Sequence, residues 1–450
     1  MSLGRAARFH LFVAFAFTVM ADPVSSVAYA IESALRELDG DLESLFPTMA
    51  LVIATIAVIA ATYHQLIRRF PGGAGGPQGL AKAFGEGFAF ASLGALLVDF
   101  TLTAAISCAA GASAVIAYFP EMADSRVPLA LGLAALVAAG IGFGHRGRIV
   151  FATATLLFML VSLVILGEGA DRALGQPQGG EGSSLLGAAA IGPVLLAMPL
   201  GMALATGIES PSDAIAQLGQ LDDRGRRIFG QLTMWLMIAI VGALTLAVTA
   251  LAVTLGVGVP PEDSTLLAEV GREATGGGAA FAAFQALSAL LLLAAAGSAY
   301  LAGSGLLRAL ALHGGDDAPG LVPAPFRARN RFFVPYWGVT AVFAATTVLL
   351  LLSGGRDQEL VHFYAVSVFA SFLGALIGAA RLSWSDGSRR ELALNLLGAV
   401  LVVFVLALNL ARLDGVIALS ASALVSLYLY GVWVRRGRPS GAGEVGRAAG

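Results

Sequence analysis

The chain is poor in lysine, cysteine and charge. Its one cysteine, Cys108, cannot close an internal disulfide, and no Cys or His falls at metal-ligand spacing. The five histidines are scattered at 10, 64, 145, 313 and 362. Charged residues are 12% of the 450, about half the share of a soluble domain, so a globular enzyme or binding module is excluded. A net charge of −2 gives no reason to expect a nucleic-acid partner. No A-x-A exit follows the first apolar run, so no cleavable signal peptide is read. No phosphate loop is present, which leaves ATP-driven transport unsupported. The stretch GFGHRG at 142–147 matches G-x-G-x-x-G. It lies in a short turn between apolar runs, not between a strand and a helix, and is no dinucleotide site.

What fills the chain instead is apolar sequence, 57% of all residues. A membrane span needs about 20 such residues, and twelve are read near 9–35, 46–67, 88–118, 127–143, 148–166, 184–218, 230–258, 279–306, 335–353, 359–381, 391–411 and 414–434. Sorting the 27 Lys and Arg by alternating side puts 21 on one and six on the other: Arg36, Arg126, Arg172, Arg272, Arg356 and Arg412. Basic loops stay cytoplasmic, so both termini are expected inside. The expected plan is a cytoplasmic stretch 1–8, a transmembrane domain 9–434 and a disordered cytoplasmic tail 435–450. The partners are the bilayer of the cell membrane and, as a further expectation, a second copy in a homodimer.

Two spans are interrupted. Span 1 carries Asp22-Pro23 at its midpoint, and span 6 carries ALATGIESPSDAIA at 203–216, where Thr206-Gly207 and Pro211 flank Glu209. Asp followed by Pro is a common helix start, so a second half-helix is expected to begin there. That does not explain a carboxylate at mid-membrane, which costs on the order of 3 kcal/mol. Spans 1 and 6 open two five-helix sets, and paired breaks near the midplane are how transporters build sites. Span 3 adds Asp99, Thr103 and Ser107 at i, i+4, i+8, one helix face. Tyr29 and Tyr364 are weaker single candidates. Glu32 and Asp213 read as solvated or vestibular and are left out of the site. Three interior carboxylates, several hydroxyls and no basic partner describe a cation site. Such carboxylates also exchange protons.

The stretches DPVSSVAYA, YHQLIRRFPGGAGG, LLVDFTLTAAIS, ATGIES and FYAVSVFASF resemble the KUP-like potassium/proton symporters of the APC (amino acid–polyamine–organocation) superfamily, over nearly the whole chain. The resemblance implies an all-α fold of twelve spans, with a 5+5 inverted repeat and two added helices. It implies potassium held by Asp22, Tyr29, Thr103, Ser107, Thr206, Glu209 and Tyr364, with Asp99, Asp22 and Glu209 as proton-coupling candidates. Potassium and protons would be substrates, and no cofactor is implied. Two departures stand out. GGAGGPQGLAKAFG puts Pro77 and Ala81-Lys82 where the family has a tyrosine and an Arg-Glu pair, near the cytoplasmic gate. Nothing after Arg438 looks able to fold into the family's nucleotide-binding C-terminal domain. The alternative reading is a proton- or sodium-coupled amino acid permease. A non-transporting receptor is a third class, against which the broken helices argue.

Overall fold

The computed structural model describes residues 4–175, 190–314 and 319–448. Their regular structure is all helical, with no strand among them. Among the described residues eleven helices are long and apolar enough to cross a membrane, and the shorter apolar helix Tyr336–Leu352 stands at the place of span 9. The twelve fall at the spans read from the sequence, with span 5 running on to Gly175, span 7 starting earlier at Asp223 and span 8 running on to Leu312. The start of span 6, 184–189, lies outside the described residues.

The six arginines assigned to the sparse side all turn up together. Arg36 donates to the Pro260 carbonyl, Arg126 to that of Glu262, Arg172 to that of Glu273 and Arg272 to that of Ala117. Arg356 pairs with Glu262 and Arg412 with Glu37. These contacts join the ends of spans 1, 3, 5, 7, 9 and 11 on one face, as the alternation requires.

Burial sorts the spans. Spans 1, 3, 6 and 10 have 61–72% of their apolar windows enclosed by protein, against 22–33% for spans 4, 5, 11 and 12. The first four therefore form the centre, and the latter present leucine, valine and aromatic side chains outward. In lipid there is no water to drive helices together, so small residues set the close approaches. Span 3 meets span 12 at Gly94, where a Cβ would lie 2.2 Å from the Ser426 hydroxyl.

The two breaks differ in kind. In span 6 the helix Ile191–Gly201 tightens into a 3-10 turn, Met202–Ala205. The backbone then opens at Thr206 and turns left-handed at Gly207, φ +73°. Span 1 does not restart at Asp22. Its first helix, Arg5–Ser25, runs through Pro23, and the second, Val27–Glu37, begins after Ser26. The expected cap at Asp22 is thus corrected. Pro23 has no N–H for the carbonyl a turn back, and the strain is taken up one turn later. There the Asp22 carbonyl accepts from the Ser25 hydroxyl at 2.7 Å and from the Ser26 amide at 3.3 Å.

The expected disordered tail is corrected too. Residues 442–448 form a 3-10 segment, with Ala442 and Val445 buried against the end of span 8 and its neighbours. Gly and Ala there let the backbone lie close to another helix, which their flexibility in isolation does not reveal.

Candidate functional site

The two breaks touch. A Cβ on Gly207 would lie 2.8 Å from Asp22 Oδ2 and 3.0 Å from Pro23 Cδ, so only glycine lets the opened backbone of span 6 rest on the carboxylate of span 1. One helical turn-pair on, the Tyr29 hydroxyl donates to Ser26 Oγ at 3.1 Å and lies 3.3 Å from Thr206 Oγ1. Thr206 itself donates to the Ala203 carbonyl at 2.7 Å, satisfying a carbonyl near the break.

Span 3 closes a third side. Asp99, Thr103 and Ser107 are all buried on Ala89–Ile116, and span 10 brings the buried Tyr364 up beside Asp99. The Tyr364 hydroxyl lies beside that carboxylate. Asp22, Asp99 and Glu209 all lie within electrostatic reach of Tyr364, as does Tyr29. Six of the eight residues read from the sequence, Asp22, Tyr29, Asp99, Thr206, Glu209 and Tyr364, are thus tied to one another across spans 1, 3, 6 and 10, and Thr103 and Ser107 are buried further along span 3.

Five oxygens in this region are enclosed and lack a hydrogen-bond partner: Asp22 Oδ1, Asp99 Oδ1, Glu209 Oε2, Ser107 Oγ and Tyr364 Oη. Buried polar atoms are almost always paired, and unpaired carboxylate oxygens on three residues that reach one another electrostatically mark a candidate ligand site. Among the described residues no Lys, Arg or His is buried beside them. No three His, Cys, Asp or Glu among the described residues are placed to hold a metal ion together.

Sequence reasoning left Ser26 out of the site, although a serine pair after Asp-Pro was a visible signal, and read Gly207 only as part of the break in span 6. Glu32 is not solvated: it is 3% exposed, with Oε1 on Arg36 and Oε2 on the Leu266 amide. Asp213 is half-buried, with its Oδ1 enclosed, one turn beyond Glu209.

Comparison with known proteins fits this architecture. An amino acid permease model matches residues 10–433. The chain belongs to the amino acid permease family. It is a secondary transporter of the APC type and a multi-pass membrane protein. The potassium transporter KimA of Bacillus subtilis (strain 168) is 27% identical over 404 residues, which cover 86% of this chain and 64% of KimA. The chain thus spans under two thirds of that relative's length. Among solved structures, Mhp1, a nucleobase-cation-symport-1 family transporter in a closed conformation with bromovinylhydantoin bound, aligns with a TM-score of 0.53 at 14% identity. A mutant of the Eremococcus coleocola manganese transporter aligns at 0.51 and 10% identity. Each alignment covers 97% of this chain and 96% of the other. At those identities they speak for the fold alone, which is the inverted-repeat transporter fold with helices 1 and 6 broken.

Proposed function

We propose that this transporter takes up potassium, or a similar monovalent cation, in symport with protons, and sits in the cell membrane with both termini inside. The observation that carries the reading is that the buried carboxylates of Asp22, Asp99 and Glu209 lie within electrostatic reach of one another, each with an oxygen left unpaired and none with a basic partner, around the touching breaks of spans 1 and 6. Oxygen ligands from side chains and opened backbone suit a weakly hydrated monovalent ion. A divalent ion of the manganese kind finds no tight triad of ligands here. The same carboxylate oxygens can hold a proton in place of the cation. Asp22, Tyr29, Thr206 and Glu209 would grip the ion from the broken helices, and Thr103, Ser107 and Tyr364 from the opposite wall. Asp99 would join Asp22 and Glu209 in proton exchange. The similarity to KimA supports this reading.

The family model favours a second reading, an amino acid permease. A substrate carboxylate would have to meet bare amides at the breaks, and here Asp22 occupies that position against Gly207. Reconstituted protein should accumulate rubidium tracer and acidify the lumen under an imposed proton gradient. Saturable alanine or serine uptake without rubidium flux would favour the permease.

A further inference from the structure

The helix Gly75–Phe84, between spans 2 and 3, covers the end of the site that faces the arginine-rich side. Its entry is wedged against the far half of broken span 6. A Cβ on Gly73 would lie 3.0 Å from the Asp213 carbonyl, and one on Gly75 2.6 Å from Ser212 Oγ. Its far face lies on span 10, where a Cβ on Gly378 would be 2.9 Å from the Gly79 carbonyl carbon. The two spans that flank the site can part on this side only if this helix moves with one of them.

The C-terminal segment packs on this helix at Ala81 and is tied to the 3-10 turn Glu86–Phe88 that follows it. The Gly443 amide donates to Glu86 Oε2 at 2.9 Å, and a Cβ on Gly443 would stand 2.5 Å from Ala81 Cβ. The Pro439 carbonyl accepts from Trp433 Nε1 at 2.8 Å and faces the His313 imidazole. Burial lowers the pKa of His313, opposed by the Pro439 carbonyl and the Glu86 carboxylate. Ala442 and Val445 are the apolar anchors. The Gly443–Glu86 bond and the small side chains Ala442 and Val445 are points at which this fastening can be opened.

We propose that residues 439–445 are an inhibitory latch: docked, they hold the Gly75–Phe84 helix over the inward route to the site, and undocked, they release it. The proposal rests on the transport reading for its effect on flux, but the latch can be tested without flux. In a Cys108→Ala background, Ser212→Cys reports exposure beneath the helix, read as its labelling rate by a charged thiol reagent in inside-out vesicles. Truncation after Arg438 and the full-length Glu86→Ala should each raise that rate about fivefold, the ratio one hydrogen bond supplies. Gly443→Leu, which cannot fit against Ala81, should do the same. Unchanged labelling in Glu86→Ala and the truncated protein would overturn the latch. The pair Ala81→Cys and Gly443→Cys should cross-link under mild oxidant, suppress rubidium uptake and recover with reductant. Failure to cross-link would show that the segment does not dock. If labelling responds while the unsubstituted protein moves no rubidium, the transport reading falls and the latch stands.

Discussion

Two buried polar clusters lie on the same helices, one on the arginine-poor side and one at the centre, and they obey opposite rules. In the first, polar groups are paired. Glu32 caps the helix Leu266–Thr275 through the Leu266 amide while holding Arg36. Asp357 accepts from Ser113 at 2.7 Å and from Gln358 at 3.0 Å, and Ser113 accepts from Arg126 at 2.8 Å. Ser33 ties span 1 to span 10 through Gln358 at 2.7 Å. In the second cluster, three carboxylates and two hydroxyls each keep an oxygen without a partner. A satisfied network fixes helices against one another, whereas an unsatisfied one is costly unless something else completes it. The first cluster therefore holds the helices together on that side, and the second is where we propose that cargo binds.

The largest expected effect falls on the central cluster. Asp22→Asn keeps the size and removes the charge. If Asp22 grips a cation, losing a buried charge partner costs on the order of 2–5 kcal/mol, a fall in uptake of roughly thirtyfold or more. The folded protein should melt no lower than the parent, because a like charge near Glu209 and Asp99 is gone. Glu209→Gln should behave alike. Rubidium uptake in proteoliposomes, read beside a melting curve, checks both. Two well-folded variants with normal uptake would erase the distinction between the clusters.

Next is Gly207→Ala. Its φ of +73° already disfavours a side chain, and the added methyl would press on the Asp22 carboxylate at 2.8 Å. Strain of about 1–3 kcal/mol should fall on both stability and uptake, and an Asp22→Ala partner substitution should restore melting without restoring transport. Recovery of transport as well would show that Asp22 only fills space.

Much of this site could be read before the fold was known. A carboxylate beside proline in mid-span, a Thr-Gly break before Glu209 and an i, i+4, i+8 stripe are local signals; all these residues are buried, but the helix boundary in span 1 falls at Ser26 and not at Asp22. Contacts across the chain could not be read. Nothing in the sequence says that Gly207 lies on Asp22, because that depends on how spans 1 and 6 cross. Glu32 looked like an outer acid because its partner, the Leu266 amide, is 234 residues away. The docked C-terminal segment was missed because its glycines and alanines carry no periodicity, and only the surface they meet orders them.

A smaller and opposite effect is expected in the paired cluster. Glu32→Gln keeps an oxygen for the Leu266 amide but weakens the bond to Arg36, which should cost about 1–3 kcal/mol. The melting temperature should fall, while rubidium concentration dependence should stay that of the parent. A shift in apparent affinity with unchanged melting would move Glu32 into the binding site.

The smallest effect tests the comparison within one residue type. A serine in a membrane helix commonly bonds back to its own backbone, and Ser288 does so, donating to the Phe284 carbonyl at 2.8 Å. Ser107 is as deeply buried but makes no such bond. It shares a helix face with Asp99 and Thr103 by its spacing. If it is a cation ligand, Ser107→Ala removes one neutral oxygen from the coordination, worth about 1 kcal/mol, so the apparent affinity for rubidium should weaken about fivefold. Melting should hardly change, because no protein bond is broken. Ser288→Ala serves as the control and should leave affinity untouched. Equal affinities in the two variants would mean that an unpaired hydroxyl here is only a packing element, and that the carboxylates of spans 1, 3 and 6 hold the ion without span 3's hydroxyl stripe.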